Sequence, residues 1–133
     1  MPLSRWLAVV VAAEAVRQVF VTHIHLDHAG AAGWFAQQGA QLYCHPNARR
    51  HLIDPSKLMD SARLVYGAAM DRLWGEMLPA PEERVTALQD GEAVRIGGEE
   101  IIALDTPGHA RHHHAISGRP ARVMTCPSSL AWA

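Results

Sequence analysis

Apolar and polar residues change their period several times along this chain, and each change marks an element. Residues 4–15 are rich in Ala and Val and read as a helix. The run Val19-Phe20-Val21 is continuously apolar, so residues 17–22 read as a buried strand. A polar, His-rich loop follows, and residues 31–38 read as a short helix with Gly39 at its C-cap. Residues 41–44 form the next strand, stopped by His45-Pro46. Strand, loop, helix and strand in that order build parallel pairs. Asp54-Pro55 is a helix start, a capping carboxylate before proline. Apolar residues from Leu58 and Met59 through Tyr66 to Trp74 and Met77 then recur at three- and four-residue steps. They predict one helix running to about residue 78, ended by Pro79-Ala80-Pro81. That face serves as core packing; its Met and Trp residues would also suit a lid, a dimer surface or an adaptable substrate wall. Beyond residue 84 the period shortens to that of strands, at 84–88, 93–96, 99–104, 113–117 and 122–125. Asp90-Gly91 and Gly97-Gly98 are hairpin signals between them. The pattern predicts a mixed α/β sandwich with helices outside and sheet inside.

Composition narrows this picture only a little. A chain of 133 residues, 49% hydrophobic and 19% charged, is enough for one domain with a real core. A net charge of -1 argues against electrostatic capture of nucleic acid or of an acidic membrane surface. Cys44 and Cys126, far apart and outside any C-x-x-C, suggest reduced thiols and a cytoplasmic location. The segment from Arg5 through Ala13-Glu14-Ala15 mimics a short secretory signal. Cleavage there would leave the first strand almost at the new terminus, and a helix packed on the sheet accounts for the same residues.

The histidines change the picture more. There are nine, and seven fall in two clusters: His23, His25 and His28, then His109, His112, His113 and His114. Thr22-His23-Ile24-His25-Leu26-Asp27-His28 places three imidazoles and a carboxylate at the mouth of a strand. These are the usual protein ligands of a catalytic divalent metal. Alternate side chains of a strand share a face, so His23 and His25 can point at one ion. Past the strand end, Asp27 and His28 can face a second position beside it.

The order H-x-H-x-D-H after a hydrophobic strand resembles the signature of the metallo-β-lactamase-fold hydrolases. Asp105-Thr106-Pro107-Gly108-His109 resembles their next metal-binding loop. The resemblance covers roughly residues 16–117 and implies an αββα sandwich, with this chain a single, incomplete domain over 1–133. It further implies that His23, His25 and His109 hold a first zinc ion, and that Asp27 and His28 contribute to a second. Asp27 would also orient the nucleophile or accept its proton. The implied activity is hydrolysis of a small ester, thioester, lactone or related bond through metal-bound hydroxide. His113 matches the second histidine of a G-H-x-x-x-H pattern, as a supporting residue more than a ligand. His112 and His114 are expected to face solvent or to pack, His45 and His51 to be structural or exposed, and Asp105 to orient the loop.

The chain departs from that pattern at one position that bears on chemistry. Two-metal relatives carry a bridging aspartate after the next strand and a final histidine later. Here no carboxylate follows Asp105, and Cys126-Pro127 stands where Gly-Asp is expected. One tight metal site is therefore expected. The competing reading is a non-catalytic metal-binding remnant, or a fragment that needs a partner chain. Strands absent from both flanks would leave sheet edges open to self-association.

Overall fold

The computed structural model describes residues 12–118 and, as backbone, 122–124. The expected helix over 4–15 lies outside the described residues except for its end, where Ala13–Ala15 form an exposed 3-10 turn. The expected Cys126-Pro127 step also lies outside them.

Two sheets form the framework. The first is parallel, in the order β1 (Gln18–Phe20), β2 (Gln41–Cys44), β3 (Val85–Ala87). The second is antiparallel, in the order β4 (Ala93–Ile96), β5 (Glu99–Asp105), β6 (His114–Gly118), β7 (Arg122–Met124). Between β1 and β2 run α1 (Leu26–Ala29) and α2 (Ala32–Gln37). Between β2 and β3 run α3 (Pro46–Ile53), α4 (Ser56–Tyr66) and α5 (Met70–Leu73). Val19 pairs with Leu42 and Phe20 with Tyr43 across the first two strands.

Strand alternation sorts the side chains into two cores. Val21, Leu42, Cys44 and Val85 join Ala36, Leu52, Met59 and Met70 in the larger cluster, between the parallel sheet and the helices. Phe20 and Tyr43 point the other way and meet Leu88, Ala103 and Ile116 in the second cluster. Their rings stack with centroids 4.7 Å apart. Both faces of the parallel sheet are thus covered, which is why β1 and β2 read as continuous apolar runs. Burial in the larger core also pushes the Cys44 thiol up to about 12, so it is an inert packing residue.

Three expectations need correction. His45-Pro46 does not merely stop β2; it starts α3. The His45 ring accepts the Asn47 N–H at 3.0 Å and Pro46 occupies the first helical turn. The long helix is not continuous to residue 78. Gly67, with φ of +52°, ends α4, and a 3-10 turn over Gly67–Ala69 leads into α5. Asp90-Gly91 is not a hairpin turn between β3 and β4, because those strands belong to different sheets; it carries the chain from one sheet into the other. Gly97-Gly98 does close the β4–β5 hairpin, both glycines at positive φ.

One close approach fixes the helices. A Cβ on Gly33 would lie 1.8 Å from the Leu78 carbonyl oxygen, so α2 rests directly on the backbone after α5. Gln37 Nε2 donates to the Pro79 carbonyl and the Ala80 N–H donates to the Leu52 carbonyl.

Candidate metal centre

The first ligand loop forms because β1 ends and α1 begins within a few residues. Val21 N–H still donates to the Tyr43 carbonyl, extending the strand pairing. His25, in extended conformation, then caps α1, its carbonyl accepting from the His28 and Ala29 N–H groups. The second loop, between β5 and β6, is closed by Thr106, whose N–H donates to the His113 carbonyl at 3.1 Å. The two loops are stitched together across the sheets by the His114 N–H donating to the Thr22 carbonyl at 2.7 Å.

This stitching brings His23, His25 and His109 together. One ring nitrogen from each lies within 4.8 Å of the other two. His25 Nδ1 and His109 Nε2 are 3.1 Å apart. Ligand nitrogens around a tetrahedral zinc, at about 2.0–2.1 Å each, would be about 3.4 Å apart. His23 is fully buried. Its Nδ1 lies 3.0 Å from Thr22 Oγ1, while its Nε2 has no hydrogen-bond partner. Donation from Nδ1–H to the Thr22 oxygen leaves a lone pair on Nε2, the form a metal requires. A buried ring nitrogen with no partner is costly, and a cation at the convergence point would satisfy it. The donor set fits a divalent ion.

Electrostatics favour neutral, ligating rings. Burial, with His28, His25 and other imidazoles nearby, lowers the His23 pKa to about 3. Burial followed by the adjacent His109 also lowers that of His25.

Asp27 and His28 are not part of this triad. They pair with each other, Asp27 Oδ2 to His28 Nε2, at 3.1 Å. The His28 ring lies against that of His23, centroids 4.2 Å apart. His113 stands nearby, its centroid 5.2 Å from that of His23, with Thr106 Oγ1 2.7 Å from its Nδ1. It too is outside the triad, as a supporting residue would be.

Of the two expectations for His112 and His114, solvent-facing or packing, the structure gives packing. His112 is half-buried, and its Nδ1 accepts the Ile24 N–H at 3.3 Å, tying the second loop to the first. Burial lowers its pKa to about 4. His114 is buried and its Nε2 lies 2.9 Å from Asp105 Oδ1. His45 Nε2 lies 3.4 Å from the same oxygen. His45, Asp105 and His114 therefore form a second compact group whose candidate ligand atoms fall within 4.8 Å. Proton positions argue against an ion there. His45 Nδ1 already accepts the Asn47 N–H, so its proton sits on Nε2. Ligating through Nε2 would demand an imidazolate. The His114 ring donating to the carboxylate oxygen, with the His45 Nε2–H turned toward the same atom, is instead a strut that fixes Asp105, whose own N–H donates to Asp90 Oδ1. This strut was missed in the sequence. His45 directly before Pro46-Asn47 was its one available signal, as a helix cap.

With this geometry established, the relationship to known proteins is clear. The sequence profile of the Metallo-beta-lactamase superfamily matches residues 3–124. The chain belongs to that superfamily. A metallo-beta-lactamase fold-containing protein of Sulfurisphaera tokodaii is 28% identical over 102 residues, 74% of this chain and 39% of that protein. An uncharacterized protein of Mycobacterium tuberculosis is 33% identical over 100 residues, 70% of this chain and 39% of that protein. Among solved structures, an archaeal superfamily protein from Sulfolobus tokodaii matches with a TM-score of 0.65 at 23% identity. That match covers 82% of this chain and 49% of the archaeal one. A family protein from Thermus thermophilus gives a TM-score of 0.62 at 25% identity, covering 86% and 40%. The chain spans about two fifths of the length of the curated relatives it matches.

Proposed function

We propose that this chain carries the first-metal site of a zinc-dependent hydrolase acting on a small ester, thioester, lactone or related substrate. The observation that carries this reading is the convergence of one ring nitrogen each from His23, His25 and His109, with the buried His23 Nε2 left without a hydrogen-bond partner. Three neutral imidazoles are the ligand set of a catalytic zinc that keeps a position open for water. A zinc ion held there supplies Lewis acidity and a water ionised near neutral pH. The chain's own residues do the rest. Thr22 fixes the tautomer and orientation of His23. His112 and His114 hold the two loops in register. Asp27 lines the same cavity as His25, which supports a role for its carboxylate in taking up a proton during hydrolysis.

A second reading, metal binding without turnover, is favoured by the histidine triad's having no carboxylate among its members. Metal analysis and assay separate the two. After dialysis the zinc-loaded chain should retain close to one equivalent of zinc, and a His25→Ala variant should retain none. Ester, thioester and lactone hydrolysis should depend on His25. Retention of zinc with no turnover on any of these would leave only the second reading.

A further inference from the structure

A cavity of about 470 Å³ opens beside the histidine centre, with His25, Leu26 and Asp27 on one side. Its other wall is α4 and the residue after α5: Leu58, Ala62, Val65, Tyr66 and Trp74. The volume is that of a small-molecule site. Tyr66 and Trp74 meet edge to face, centroids 5.7 Å apart, forming a broad aromatic ledge. The wall carries two hydroxyls: that of Ser61 already donates to the Lys57 carbonyl at 2.9 Å, and the other is the phenol at the tip of the Tyr66 ring. None of the residues lining the cavity is Lys or Arg. The charges it does meet are of one sign. Asp27 contributes the carboxylate among the lining residues.

We propose that this wall seats an uncharged apolar group of the substrate, an alkyl chain or aryl ring, whose scissile bond then faces the histidine centre. The proposal rests on the hydrolase reading above. A carboxylate or phosphate on the same wall would lose its hydration without gaining a cation, and would face Asp27. An alkyl or aryl group loses nothing there and buries against Leu58, Ala62 and Trp74. The exposed edge of the wall makes Val65 the residue that sets this preference. It is 77% exposed, so its replacement leaves both cores intact.

The test has two arms. In the first, zinc-loaded protein is assayed with 4-nitrophenyl esters of linear acids from acetate to octanoate, and with esters of equal length ending in a carboxylate. Burial of each added methylene should raise kcat/KM about threefold to fourfold. The carboxylate-ended esters should be poor, and Val65→Arg should improve them while flattening the alkyl series. In the second arm, octan-1-ol is titrated into zinc-free protein while the Ala62 and Val65 methyls and the Trp74 indole are followed by NMR. Saturable shifts are expected, weakened in Val65→Arg. Shifts without turnover of any ester would keep the apolar seat and reject the hydrolase reading. Turnover that is flat with chain length, or fastest for carboxylate-ended esters, would overturn the seat and keep the hydrolase. Absence of octanol shifts would overturn the seat whatever the rates. Sedimentation showing a dimer that Val65→Arg dissociates would also overturn it, by making the wall a contact between copies.

Discussion

Two histidine groups sit on either side of the strand ends, and they solve opposite problems with the same side chain. At His23, His25 and His109 three imidazoles converge with no carboxylate among them, and a buried nitrogen is left partnerless. At His45 and His114 two imidazoles converge on Asp105, the His114 ring hydrogen-bonding it at 2.9 Å and the His45 ring standing 3.4 Å away. Both groups satisfy a distance criterion for metal binding. In the second the ring nitrogens nearest the shared point face a carboxylate that calls for their protons, and the lone pair of the buried His114 lies on its other nitrogen, Nδ1. Proximity of ligand atoms is therefore a weaker guide to a metal site than the placement of protons, which the surrounding hydrogen bonds decide.

The sharpest way to break this comparison is to remove one imidazole from each group. His23→Ala should lower zinc affinity by more than about a hundredfold, beyond the roughly tenfold to hundredfold cost of losing a ligand's supporting partner. His114→Ala should fall within that supporting range, seen by competition with a chromophoric chelator. Comparable losses in both would mean that the second group binds metal as well.

Removing Asp105 should invert the pattern. Asp105→Ala leaves the buried His114 N–H without an acceptor and frees that of His45. A loss of about 1–3 kcal/mol of folding stability is expected per stranded group. Urea unfolding of zinc-free protein reads this directly, and an unchanged midpoint would remove the strut from the account.

Acid acts on both groups more gradually. Burial lowers the pKa of His23, His112, His113 and His114 below 6.5 in the folded chain. Unfolded, these residues take up protons near pH 6.5, so at lower pH the unfolded state binds more of them. Their contribution is complete above about pH 6.5 and falls away toward the folded values, about 3 for His23 and about 4 for His112. Zinc-free protein should lose stability steadily over that window, and bound zinc should be released over the same range. A flat stability profile from pH 7 to 4 would show the rings to be accessible to protons in the folded state.

The smallest effect should come from Thr22→Val, which keeps the side-chain shape and removes the oxygen facing His23 Nδ1. A drop of about tenfold in zinc affinity, with folding stability little changed, is expected.

Much of this was legible in the sequence, for identifiable reasons. Val19-Phe20-Val21 is apolar on both faces because β1 is covered by helices on one side and by the second sheet on the other. His23 and His25 were expected to converge by strand alternation, but both lie past the end of β1, in the loop that leads into α1. His109 could be placed only by its resemblance to a known loop, because 84 residues separate it from His25. The division of α4 from α5 was hidden because the apolar spacing continues through Gly67, and only its positive φ interrupts the helix. The Asp105 strut was illegible because its three members come from three elements, and nothing local in any of them records a proton.

The contact at Gly33 has a consequence for how this chain can diversify. Any side chain there would collide with the backbone at Leu78, and Gln37 and Leu52 clamp the adjoining Pro79 and Ala80. The segment carrying α4 and α5 is thus bolted to the scaffold at its exit, while Leu64, Val65 and Leu73 stand exposed along its length. Such an arrangement separates heredity into two rates. The exposed positions 64, 65 and 73 should accept broad replacement in a saturation library, rewriting what the protein prefers, whereas position 33 should return glycine alone. Substrate range could then drift through many sequences without disturbing the chemistry beside it.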